Sequence, residues 1–294
     1  MNLSENDILR RVRKVEIKTR GLSEDIFAGK YHTAFRGRGM SFAEVREYRA
    51  GDDVRDIDWN VTARSERTHV KVYEEERELT MMLLVDVSDS RLFGSTERTK
   101  KNIITEIAAT LAFSAAKNND KVGCILFSDK VEKFIPPKKG RSHILTIISE
   151  LVRFTPTGRS TAISEAVRFM AGISKKRTTA FLLSDLIDAP NDIAKLEESI
   201  KIASSRHDIM AVRVFDRRDA ILPDVGIIEV EDSESGKRAW LDTSSRRVRE
   251  YWTKNYHDSF DKVAGILRHN RVDMAEVATD DDYVVELIKM FKQR

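Results

Sequence analysis

The chain has 294 residues, with 51 Lys+Arg against 48 Asp+Glu for a formal charge of +3, and it is 41% apolar and 34% charged. At roughly 150 residues per domain this makes one or two domains, each long enough to bury a core without disulfides or structural metals, which excludes disorder over the whole length. So small a net charge gives no global field for nucleic acid or an anionic membrane, and the single cysteine, Cys124, excludes an intrachain disulfide framework and a cysteine zinc site.

The first residues, Met1-Asn2-Leu3-Ser4-Glu5-Asn6-Asp7, lack a basic start and an apolar core. The longest strongly apolar run, Met81 to Val85, falls far short of the roughly 20 residues that cross a bilayer. Together with a lone cysteine inside an apolar run, this sets the expectation of a cytoplasmic protein with no membrane partner. Residues 1–78 differ in texture from the rest. Arg10 to Arg20 is basic, Tyr31 to Tyr48 contains Arg36-Gly37-Arg38-Gly39, and Gly51 to Asn60 is acidic with almost no helical or strand period. A small, irregular or β-rich N-terminal accessory region is expected here.

From residue 79 to 294 short β-rich runs alternate with segments of helical period, the pattern of a parallel sheet covered on both faces. Thr80 to Asp86 reads as a buried strand, because a continuous apolar run is what a strand enclosed on both sides needs. A helix follows on the stripe Ile104, Ile107, Ala108, Leu111, Ala112 and Ala115, with Lys100, Lys101 and Glu106 off it. Lys121 to Phe127 and Lys130 to Ile135 form an antiparallel pair at a sheet edge, joined by Ser128-Asp129 and stopped by Pro136-Pro137. Stripes at Ile144, Leu145, Ile148, Leu151 and Val152, and at Ile163, Ala166, Val167 and Met170, give two more helices. Thr179 to Ser184 is a strand ending in Asp185, followed by a helix over 191–205 and a strand over 207–215. A β-hairpin is inserted at about 226–242, around Asp232 to Gly236. Ser244 to Asn270 is helical, and Val272 to Ala278 with Tyr283 to Phe291 supplies the last strand and closing helix. The fold class is α/β, a doubly wound, mostly parallel sheet.

In such a sheet ligands bind beyond the carboxyl ends of the strands where strand order reverses, because loops there splay apart. With the order 3-2-1-4-5-6, strands one and four are neighbours at that point, and each ends in an aspartate. Strand one runs into Asp86-Val87-Ser88-Asp89-Ser90, strand four delivers Asp185, and the turn Thr155 to Ala162 adds hydroxyls. These are hard oxygen donors without sulfur or imidazole, the set that suits Mg²⁺ with some waters kept. Serines and aspartates after a strand also serve as ordinary turn and cap residues, so the pattern in strand one alone says little. The arrival of Asp185 and Thr161 at adjacent strand ends is the more demanding coincidence.

Asp86-x-Ser88-x-Ser90 after an apolar strand, with Thr161 and Asp185, resembles the metal-ion-dependent adhesion site (MIDAS) of von Willebrand factor type A domains. The resemblance implies direct ligation by Ser88, Ser90 and Thr161, with Asp86 and Asp185 acting directly or through water. It departs from that pattern at Ala162, where family members often carry Asp or Asn, and Ser160 could replace Thr161 in a shifted register. Phe35 to Met40, Glu47 to Trp59 and Val70 to Glu78 closely resemble the bacterial domain-of-unknown-function 58 (DUF58) family, a fold of the Rossmann-like, von Willebrand A-like type with no established enzymatic activity. Family members are typically encoded beside MoxR-type AAA+ ATPases, which the resemblance implies as partner. The expectation is a non-enzymatic, Mg²⁺-dependent (or Mn²⁺-dependent) protein-protein interaction module. It would be an adaptor or chaperone-type partner of such an ATPase, taking a carboxylate of the partner on a metal held by Asp86, Ser88, Ser90, Thr161 and Asp185.

Two rivals stay open. A metal-dependent phosphoesterase would need a positioned base, for which Asp89, Asp129 and Asp188 are nearby in sequence without a diagnostic spacing. A nucleic-acid-binding adaptor would use Arg10, Arg11, Arg13, Lys14, Lys18, Arg20, Arg36 and Arg38, although Glu5, Asp7, Glu16, Glu24 and Asp25 dilute that field. Asp56, Asp58 and Asn60 imitate the opening of a calcium loop, but Val61 and Arg67 stand where glycine and glutamate are needed. That acidic stretch is assigned to salt bridges and turns. No phosphate-binding loop, zinc spacing or Gly-x-Ser-x-Gly motif occurs. Trp59, Trp240 and Trp252 are expected to pack as core or interface anchors.

Overall fold

A computed structural model describes residues 13, 40–65, 67–75, 79–88, 99–158, 160–187, 192–231 and 238–293. Phe35–Leu79 forms one compact unit, and Thr80–Arg294 belongs to a second.

In the smaller unit β1 (Met40–Glu47) pairs antiparallel with β2 (His69–Glu75) across a bulge between Phe42 and Glu44. The connection holds a 3-10 turn, Val54–Asp56, and one helical turn, Trp59–Thr62. Its acidic residues work locally. Asp52 accepts from both Arg46 guanidinium nitrogens at 2.8 Å, Asp53 pairs with Arg55, and Asp58 caps the helical turn through the N–H groups of Asn60 and Val61.

The larger unit runs β3 (Thr80–Asp86), α1 (Lys100–Lys117), β4 (Lys121–Phe127), β5 (Val131–Lys138), α2 (Arg141–Arg153), α3 (Ile163–Ile173), β6 (Thr179–Ser184), α4 (Ile193–Arg206), β7 (Asp208–Phe215), β8 (Ile227–Glu231), β9 (Arg238–Asp242), α5 (Arg246–His269), β10 (Asp273–Ala278) and α6 (Tyr283–Lys292). Six strands form one sheet in the order β10-β7-β6-β3-β4-β5, all parallel except the edge strand β5. This is the doubly wound α/β order expected from the sequence. The alternation of side chains along β3 divides the core. Met82 and Leu84 pack with α3, α4 and α5 on one face, leaving Met81, Leu83 and Val85 for the other. On that other face Phe181 of β6 meets Phe291 of α6 edge to face, with ring centroids 6.2 Å apart. β8 and β9 form a separate antiparallel hairpin; its tip lies outside the described residues.

The structure adds to or departs from the sequence reading at three places. Pro136-Pro137 does not end β5, which continues to Lys138; an edge strand has outward positions where a missing N–H costs no ladder bond. Lys100, off the apolar stripe of α1, is buried all the same, because its ammonium finds two carboxylates. Trp59 and Trp240 are 68% and 70% exposed, which removes the core half of the core-or-interface expectation for these two.

Candidate functional site

Because β3 and β6 are hydrogen-bonded neighbours, Asp86 and the pair Ser184-Asp185 emerge side by side where the strand order reverses. Asp86 is 2% exposed, Asp185 6%, and Ser88 and Ser184 are fully buried. Asp86 Oδ1 accepts the N–H of Ser88 at 2.9 Å, and Oδ2 accepts the Ser184 hydroxyl at 2.7 Å. Burial first, and then the negative charge of Asp185, push the Asp86 carboxyl up to about 6, against the hydrogen bonds from Ser184 and Ser88. Ser184 was not among the expected site residues; its only signal is its place immediately before a strand-terminal aspartate.

The chain leaves β6 through a tight left-handed step. Leu186, buried, has φ 58°, a conformation unfavourable for a bulky side chain. Two side chains hold it there: Ser184 Oγ accepts the N–H of Leu186 at 3.1 Å, and Asp185 Oδ1 accepts that of Ile187 at 3.2 Å.

The threonine turn reaches the same end of the sheet by way of β4 and β5. The N–H of Ala162 donates to the Ser128 carbonyl at 2.8 Å, while the N–H of Val87 donates to the Phe127 carbonyl at 2.8 Å. Both loops are thereby hung on the end of β4, and Thr161 is buried whereas Ser160 is half-buried. Glu132 on β5 clamps the turn, accepting from the N–H groups of Thr157 and Gly158 and from the hydroxyls of Thr157 and Ser128 at 2.7 to 2.9 Å. Gly158 lets two side chains come close, since an added Cβ would displace the Asp129 carboxylate and lie 2.5 Å from Ser128 Oγ.

A fourth segment joins from α1. Lys100 Nζ lies 3.0 Å from Asp185 Oδ2 and 3.0 Å from Asp219 Oδ2. Burial opposes its charge, but the two carboxylates prevail and hold the ammonium's pKa above the ordinary lysine range. Burial raises the pKa of Asp219, against the pull of Lys100. The turn carrying Asp219 is gripped by α5, where Trp252 Nε1 donates to the Asp219 carbonyl at 2.9 Å and the Thr253 hydroxyl to that of Ala220 at 2.7 Å. Sequence reasoning missed Lys100 and Asp219 in this role, because nothing local ties either to residue 185.

Of the expected ligands, Ser90 lies outside the described residues, as do Asp89 and Asp188 of the phosphoesterase alternative. Arg10, Arg11, Lys14, Lys18, Arg20, Arg36 and Arg38 of the nucleic-acid alternative lie outside them too. Among the described residues no three His, Cys, Asp or Glu side chains are grouped to hold a metal. Lys100 pairs with Asp185 and Asp219, while buried Asp86 beside Asp185 is met, among the described residues, only by the neutral donors Ser88 and Ser184, so the site holds a carboxylate without a cationic partner there, beside serine and threonine hydroxyls.

Sheet order, helices on both faces and a buried polar switch point define this as a doubly wound α/β protein. The chain belongs to the DUF58 family, described as "Protein of unknown function DUF58", which it matches over residues 44–261. It is 26% identical over 287 residues to the uncharacterized protein Rv1480 of Mycobacterium tuberculosis, covering 96% of this chain and 88% of that one. Among solved structures it is similar to the conserved hypothetical protein BatB from Bacteroides thetaiotaomicron, with TM-score 0.50 and 15% identity over 73% of this chain and 98% of that chain. It also resembles the SpRpn10 VWA domain, with TM-score 0.40 and 12% identity over 74% of this chain and 95% of that chain. Among the described residues no helix is long and apolar enough to cross a membrane.

Proposed function

We propose that the chain is a non-enzymatic protein-interaction module of von Willebrand A type, whose switch-point site binds a divalent cation and through it a carboxylate of a protein partner. The observation that carries this reading is the burial of Asp86 beside Asp185: burial first, and then the charge of Asp185, raise the Asp86 carboxyl, which a bound cation would relieve. The residues fit Mg²⁺, with Mn²⁺ as substitute: Asp86, Ser88, Ser90, Thr161 and Asp185 are all hard oxygen donors. When bound, the cation supplies an electrophilic position for an incoming Glu or Asp.

The chain's own residues do the rest. Ser184 and the Ser88 N–H orient Asp86, the left-handed step at Leu186 aims Asp185, and Glu132 with the Ser128 carbonyl holds the threonine turn in place. The family resemblance points to a MoxR-type AAA+ ATPase as partner, with the chain as its adaptor in the cytoplasm.

Titration calorimetry of Mg²⁺ and Mn²⁺ into chelator-stripped protein, with the Asp86→Ala and Ser88→Ala variants alongside, tests this reading. Saturable binding in the parent that both variants lose is expected. A folded parent that takes up neither ion sinks the proposal.

A further inference from the structure

Lys100 occupies a position that is unfavourable on two counts. It stands first in α1, where the helix dipole disfavours a positive charge, and it is withdrawn from water, where an unpaired ammonium is costly. Two carboxylates from distant parts of the chain offset this, Asp185 after β6 and Asp219 after β7, each 3.0 Å from Nζ. Asp219 is not free to follow the lysine. Its Oδ2 also accepts the N–H of Asp216 at 3.2 Å, and its carbonyl is fixed by Trp252. The two site aspartates are therefore unlike. Asp86 receives hydrogen bonds from neutral donors, Ser88 and Ser184, whereas Asp185 receives one from the Ile187 N–H on Oδ1 and one from a full positive charge on Oδ2.

We propose that Lys100 is a positioning residue for the cation site, tethering Asp185 and offsetting its charge so that a divalent ion is held loosely and stays electrophilic toward a carboxylate from outside. The inference rests on the metal reading of the same site. Its physical basis is competition. An ammonium bound to Asp185 Oδ2 both occupies that oxygen and repels a second cation. A unit charge about 4–6 Å away changes the affinity of a carboxylate for a proton by roughly 10- to 1000-fold. Asp219 shares the ammonium and so decides how much of it Asp185 receives.

Mn²⁺ alone is the probe, titrated into the full chain and followed by calorimetry and electron paramagnetic resonance, with thermal melting by circular dichroism to verify folding. Lys100→Met is expected to bind Mn²⁺ about tenfold or more tightly than the parent, and Asp219→Asn, which leaves the ammonium to Asp185, about tenfold more weakly. Opposite signs are what a merely structural contact does not produce, since loosening the site weakens binding in both. Should Lys100→Met fail to fold, Lys100→Met in the Asp219→Asn background removes one buried charge of each sign; it is expected to bind Mn²⁺ more tightly than Asp219→Asn alone by a similar factor. Binding in the parent that is unchanged or weaker once the lysine is removed overturns the role of Lys100 and leaves the cation site standing. A folded parent that binds no Mn²⁺ overturns both.

Discussion

In the unit formed by residues 35–79, Asp52, Asp53 and Glu47 meet Arg46, Arg55 and Arg67 in ion pairs that water reaches, each joining side chains close on the same surface. At the end of the six-stranded sheet, Asp86, Asp185 and Asp219 lie in or near the core with one ammonium between two of them. The same residue types thus carry different energetic weight. Exposed pairs gain little over their hydrated state, while a buried charge without a partner is expensive. A protein that keeps such a group at a topological switch point accepts a stability cost there, and that cost is the physical argument for a site. The contrast between the two regions can be broken by substitution, and the expected effects fall in a definite order.

The largest effect is expected at Lys100. Without its ammonium, buried Asp185 and half-buried Asp219 lose their counter-charge, so Lys100→Met in the presence of a chelator loses about 3–5 kcal/mol of unfolding free energy by urea titration. A loss no larger than that of an exposed pair would erase the distinction between the regions. Next comes Gly158→Ala, whose added methyl turns the exposed Asp129 carboxylate aside and presses on the buried Ser128 hydroxyl; it costs about 1 kcal/mol, again read from the urea midpoint. Glu132→Ala removes the acceptor that pins the same turn and is expected to cost about 1 kcal/mol, because the exposed Thr157 N–H finds water while the buried Gly158 N–H loses its acceptor. In both variants Mn²⁺ affinity is expected to fall along with stability, and a wild-type affinity would detach the threonine turn from the site.

A smaller effect belongs to His207, buried with its Nδ1 accepting the Thr178 N–H at 3.3 Å. Burial, and then Arg206 and Arg177, lower its pKa, so the folded state keeps the ring neutral while the unfolded chain takes up a proton near the ordinary histidine value of about 6.5. Stability from this source is present above that pH and is lost as the pH falls through the window below it. His207→Gln should flatten the stability profile between pH 7 and 5; an unchanged slope would assign the acid sensitivity elsewhere. The smallest effect is expected at Asp52→Asn in the other unit, where an open ion pair with Arg46 is traded for water and the urea midpoint stays within error.

Much of the fold was legible in the residues. Continuous apolar runs such as Met81 to Val85 and Phe181 to Leu183 belong to strands covered on both faces, and the helical stripe from Ile104 to Ala115 faces the sheet. The proline pair misled because a proline ends a strand only where its N–H would have been used, and which positions of the expected edge strand turn their N–H away from β4 is set by the pairing register. The aspartates at the ends of β3 and β6 were legible for a related reason: their apolar runs and the usual strand order place them together without any knowledge of side-chain contacts.

The charge environment of that site was not legible. Lys100 is separated from Asp185 by 85 positions and from Asp219 by 119, so no periodicity or spacing joins them. Ser184, one residue from an expected ligand, could be named as a strand end but not as the donor to Asp86. By itself the sequence determined which segments become strands and helices, their parallel order, and the presence of two aspartates at the switch point, because burial patterns and crossover handedness act through local periodicity and chain connectivity. Only the tertiary structure decided that a lysine from α1 and an aspartate after β7 share the site with Asp185, because long-range electrostatic pairing depends on packed distances that no local pattern encodes.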